Sequence, residues 1–277
     1  MAGGRLGGVG AAWLAAALLG GAGGVHATVP DLPAVVPEKS VLNKVGGAVR
    51  AQITATADAD ADAVLAADAD VGGKGLLSVK DHEDALRAVL GHMPNPFVRE
   101  QREGDQIVYR GDSMQDCIRF ATTLRGGGHF VCKGNPYPTA AFYLGSYYNE
   151  IGQSDRALAV LDLGRVAGPD SPLVASERDA ALIALRRWDD ALAGANQGLA
   201  VADLAPADRA RLLRNRGYAL TELNRLDEAE RAYEDSLALE PGNALAKNEL
   251  KYVAGLKSGA RPAAPGQIFR PGAKPTP

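Results

Sequence analysis

Cys117 and Cys132 are the only cysteines in the chain. In an oxidising compartment an even count reads as a disulfide, and closing a loop of this size contributes about 3 kcal/mol in the chain-entropy model. Buried thiols are the alternative. A metal site joining them to His129 has no visible fourth ligand, and the spacing is unlike the paired Cys-x-x-Cys of zinc modules. Asp58, Asp60, Asp62, Asp68 and Asp70 alternate with alanine, yet the turn glycine and the bidentate glutamate of a calcium loop are missing at the required offsets. Gly111-Asp112-Ser113 is not a Gly-x-Ser-x-Gly elbow, and Ser113 suits a helix cap better than a nucleophile. Arg110-Gly111-Asp112 matches an adhesion tripeptide that arises often by chance. His82, His92 and His129 are scattered. There is no haem-attachment motif and no phosphate loop. The expectation is a protein that is not an enzyme and carries no metal and no cofactor.

The elements around these residues follow from composition and spacing. Arg5 precedes an apolar stretch from Leu6 to Val25, and Val25-His26-Ala27 fits a small-x-small cleavage site. Residues 1–27 therefore read as a signal peptide, with an uncleaved membrane anchor as the rival. Export to the periplasm or beyond is the expected localisation, and the Ala, Gly, Asp and Arg bias points to a bacterial source. After cleavage no membrane span is expected. Residues 28–80 read as an acidic Ala/Asp-rich linker, largely disordered. Residues 81–134 read as a small α/β cap. Asp81 caps a helix ending near Gly91, Gly104-Asp105 turns a β-hairpin, Ser113 caps a helix carrying Cys117, and a short strand from His129 brings Cys132 back.

From Ala141 to Pro241 a helical hairpin recurs three times. Gly145, Tyr148, Ala157, Leu161 and Pro169 in the first copy correspond to Gly217, Leu220, Ala229, Tyr233 and Pro241 in the third, with Leu144 and Leu213 on the first helix of each. The second copy keeps Leu182, Trp188 and Ala191 but has Arg178-Asp179 where the others have a leucine or arginine before glycine, and it ends at Asp203. The marker alanines Ala157, Ala191 and Ala229 are spaced by 34 and 38 residues. Small residues let paired helices close, polar turns at Gly152, Arg186 and Asn224 reverse the chain, and proline ends the second helices. Asn243 to Lys257 reads as a last amphipathic helix that covers the open end.

This pattern resembles the tetratricopeptide repeat (TPR) family, in an exported bacterial setting. The resemblance covers a little under half of the chain. It implies a mainly α fold: an α-solenoid of three hairpins plus a capping helix over residues 135–257, preceded by the α/β cap and followed by a disordered, Pro-rich basic tail at 258–277. It also implies a concave groove lined by first helices, here Phe142, Ser146 and Asn149, then Leu173, Ser176, Ala180 and Ile183, then Arg211, Arg214, Tyr218 and Thr221. Two arginines on one rim suit an extended peptide or helix with an acidic group. The family's carboxylate-gripping pattern is not expected, because Phe142, Ser146 and Glu177 stand at its places and only Arg211 agrees.

The formal charge of −3 gives no sign of a nucleic-acid partner. The function read from the sequence is an exported, non-catalytic scaffold or adaptor for a protein or peptide. The alternative is a structural platform whose N-terminal cap acts in envelope assembly or thiol redox exchange. Partner identity and oligomeric state are not legible.

Overall fold

A computed structural model describes residues 58–124 and 129–262. The expected signal peptide, residues 28–57 of the expected linker, and the tail from 263 onward lie outside the described residues.

The acidic segment is the first correction. Ala59–Lys74 is a helix, α1, followed by a 3-10 turn at Leu76–His82 and by α2 at Glu83–Gly91. The Asp58 side chain caps α1 by accepting from the Asp60 amide, Asp60 and Asp62 occupy its first turn, and Lys74 lies in its last. Negative charge at a helix N-terminus and positive charge at its end both favour the macrodipole. Val64 and Ala67 are buried and Val71 packs beside them, a stripe at helical spacing inside the Ala/Asp alternation. The acids tie the segment down: Asp70 pairs with His82 at 2.9 Å, Asp60 with His92 at 2.8 Å, and Asp68 accepts from the Tyr143 hydroxyl.

The helix expected to belong to the α/β cap also changes sides. α2 packs on the first repeat helix, where Glu83 accepts from Tyr148 at 2.8 Å and pairs with Arg156. α1 and α2 thus stand where a preceding hairpin would, covering the N-terminal end of the solenoid.

The α/β unit is correspondingly smaller. Strands β1 (Glu100–Glu103) and β2 (Gln106–Gly111) are antiparallel, with Gly104 at φ +66° in the turn. Helix α3 (Met114–Thr123) crosses over to β3 (His129–Gly134), which runs parallel to β2 with Tyr109 opposite Cys132. Ser113 caps α3 by accepting from the Asp116 amide. Tyr109, Cys117, Phe130 and Cys132 form a small separate core, with the Tyr109 and Phe120 rings stacked 4.0 Å apart.

Three hairpins follow: α4 (Tyr137–Glu150) with α5 (Ser154–Ala167), α6 (Pro172–Ala184) with α7 (Trp188–Leu199), and α8 (Pro206–Glu222) with α9 (Leu226–Leu239). A last helix, α10 (Ala244–Lys257), is capped by Asn243 and packs on α9. The chain is a mainly α solenoid of three helical hairpins and a closing helix. Equivalent turn residues Gly152, Arg186 and Asn224 all adopt left-handed backbone, at φ 73°, 58° and 57°. The next amide in each case reaches back to a carbonyl of the first helix, Tyr148, Leu182 and Leu220, which closes the helix ends identically. Gly145 lies under the Leu161 side chain and Gly217 under the Tyr233 ring, so the hairpins close on absent side chains.

Candidate functional site

First helices of consecutive repeats lie side by side, and their seam is held by side-chain amides. Asn149 on α4 donates to the Glu177 carbonyl at 3.0 Å and to its carboxylate at 3.1 Å. Asn215 on α8 donates to the Ser176 carbonyl at 3.0 Å. This seam absorbs much of the expected groove. Phe142, Ser146, Asn149, Ile183 and Arg214 are buried, as are Ser176, Ala180 and Thr221. Leu173, Arg211 and Tyr218 keep partial exposure.

The two arginines do not form the expected rim. Arg214 is only 4 % exposed and turns inside the third hairpin, where it pairs with Glu240 at 2.5 Å and donates to Ser236 at 3.2 Å. Its register sets it against the second helix of its own repeat, so its charge is spent within the fold. Arg211 pairs with Asp208 at 3.2 Å.

Carboxylates dominate instead, and the sequence reading missed them. Glu177 is fully buried between Asn149, Ser146 and Arg211, and burial pushes its carboxyl up despite these partners. Burial also raises Glu150, one of whose carboxylate oxygens meets no hydrogen-bond partner. At the far end Glu222 on α8 and Glu249 on α10 come together. Burial first and the Glu222 charge second lift Glu249 to about 7. Tyr218 and Tyr252 stand beside them, and the Trp188 ring lies 6.3 Å from that of Tyr218. The spacing Tyr218–Glu222, one helical turn, was the available signal.

The α/β unit sits away from these residues. Cys117 and Cys132 are disulfide-bonded with Cα atoms 6.0 Å apart, and both are buried. Asn135 fastens the unit to the solenoid: its side-chain amide donates to Asp112 and to the Ala167 carbonyl, both at 2.9 Å. Among the described residues no group of three His, Cys, Asp or Glu could hold a metal ion, and no helix is long and apolar enough to cross a membrane.

No family model and no curated protein matches this chain. Solved structures similar to it include the first TPR domain of Spaghetti (RPAP3) bound to an HSP90 peptide, at 27 % identity and a TM-score of 0.41 over 45 % of this chain and 96 % of that one. The second TPR domain of human RPAP3, in complex with an HSP70 peptide, is similar at 25 % identity and a TM-score of 0.38, over 42 % of this chain and 98 % of that one. A MamA double mutant is similar at 15 % identity and a TM-score of 0.47, over 73 % of this chain and 86 % of that one.

Proposed function

We propose that this tetratricopeptide-type solenoid is a non-catalytic scaffold that holds an extended segment of a partner protein along its concave face. The observation that carries this reading is the set Leu173, Arg211, Tyr218 and Glu249, contributed by α6, α8 and α10 and left partly exposed while the seam residues beside them are buried. A rigid set of apolar, aromatic and charged groups suits a segment bound in extended form, because the scaffold is already ordered and only the segment loses freedom. The expected leader and the formed disulfide together support a place outside the cytoplasm. The buried sulfurs suit a staple rather than thiol exchange, which favours the groove over the α/β unit as the working part.

The test is a pair of single charge insertions, Leu173→Asp and Tyr218→Asp, in the full chain from its native source. Loss of the co-purifying partner with unchanged helical circular dichroism is the expected result. A partner retained by both variants would remove the groove from the account.

A further inference from the structure

The geometry points to a cation-recognising subsite at the C-terminal end of this groove, formed by Trp188, Tyr218, Glu222, Glu249 and Tyr252, that takes a lysine or arginine side chain of the bound partner. This rests on the groove reading and specifies the partner's chemistry at one place.

The two groove arginines are each paired within the fold, whereas the two carboxylates at this end are not. Arg211 has Asp208 and Arg214 has Glu240. Among the described residues no ion pair within 4.0 Å holds Glu222 or Glu249, although Glu222 on α8 lies close enough to Glu249 on α10 to raise its carboxyl and Arg186 lies close enough to be felt by Glu222. A second carboxylate beside a half-buried one is unfavourable without a counter-charge, and a ligand cation supplies it. The rings add to this. Trp188 and Tyr218 lie near each other, and aromatic faces beside carboxylates attract lysine and arginine through the ring quadrupole.

An independent sign comes from underneath. Tyr233 is 1 % exposed, and its ring passes below Gly217. Its hydroxyl makes no hydrogen bond of good geometry, with the Thr221 side chain beside it, and ends near enough to Glu249, Tyr218 and Glu222 to feel their charge. A buried hydroxyl is costly to leave unsatisfied, and a ligand ammonium or a water carried with it would complete that corner.

The probe is a fluorescein-labelled Gly-Ser peptide bearing lysines, titrated into the full chain by anisotropy, with a glutamate-bearing peptide of the same length beside it. The lysine peptide should bind and the glutamate peptide should not. Glu222→Gln with Glu249→Gln should weaken lysine-peptide binding at least about tenfold, whereas Glu228→Gln, on the other side of the hairpin and paired with Arg225, should leave it unchanged. Undiminished binding by the double variant, or preference for the glutamate peptide, overturns the subsite. Tighter binding after Arg270→Ser with Lys274→Ser would also overturn it as a partner site, assigning it to the chain's own basic tail. The native partner separates the two levels. If it is kept by the double glutamine variant but lost by Leu173→Asp, the subsite falls and the groove stands. If it is kept by Leu173→Asp and Tyr218→Asp as well, the groove falls too.

Discussion

The carboxylate of Asp179 lies directly against Gly194, in the space a Cβ at that glycine would take. In the first and third hairpins the glycine is on the first helix, Gly145 under Leu161 and Gly217 under Tyr233. The second hairpin reverses the roles, placing the side chain on α6 and the glycine on α7. Asp179 is 1 % exposed, and burial pushes its carboxyl well up even with Arg178 and Asn215 nearby.

Gly194→Ala should therefore destabilise the solenoid by about 1–3 kcal/mol, the usual cost of overpacking. Adding Asp179→Gly should recover much of that loss. A double-mutant cycle by urea denaturation reads the coupling, and additive effects would refute the contact.

Asn135 is the hinge between the α/β unit and the repeats, bridging Asp112 and the Ala167 carbonyl. Asn135→Ala leaves the buried Ala167 carbonyl without this donor, at about 1–3 kcal/mol. Hydrogen exchange should accelerate over residues 100–134 while α6 to α9 stay protected. Uniform acceleration would mean that the unit and the solenoid unfold together.

Replacing both Cys117 and Cys132 by serine should lower the stability of the α/β unit by about 3 kcal/mol. Helical circular dichroism and partner binding should persist, since the bonded sulfurs are buried in a core separate from that of the repeats. Loss of partner binding with intact fold would instead point to thiol chemistry.

Glu249 makes stability depend on pH. Its carboxyl is held near 7 in the folded chain, above the range it has when unfolded, so between about pH 4.5 and 7 the folded state holds a proton that the unfolded state has released. Its contribution to stability therefore falls as pH rises through that window. Glu222 and Tyr218 on α8, Tyr233 on α9, Tyr252 on α10 and Arg186 in the α6–α7 turn are the groups around this corner. Glu249→Gln should flatten the slope of Tm between pH 5 and pH 8 relative to wild type. An unchanged slope would place Glu249 in water.

The repeat itself was legible because helix closure leaves small residues at fixed offsets, as at Gly145, Ala157, Gly217 and Ala229. Arg178-Asp179 obscured the second copy only because the glycine had moved to the partner helix. The acidic segment misled for a different reason. Alanine and aspartate at alternate positions read as period two and low complexity, while the stripe Val64, Ala67, Val71 was too sparse to stand out. Its cap at Asp58, first-turn acids and final Lys74 were helix signals on the page. Groove residues were carried over by register, which fixes the helix face but not the packing depth, so Ser146, Asn149 and Ile183 fell into the seam and Arg214 into its own hairpin. Glu249 was invisible, because its neighbour Glu222 comes from another helix.

The central claim is that the concave face meets the partner. Photocrosslinking from a benzoylphenylalanine placed at Leu173, compared with one at Val166 on the exposed outer side of α5, tests it most directly in the native compartment. The account predicts one discrete crosslinked protein from position 173 and none from 166, with the 173 adduct lost on adding Tyr218→Asp. Equal adducts from both positions, or adducts from 166 alone, would contradict it.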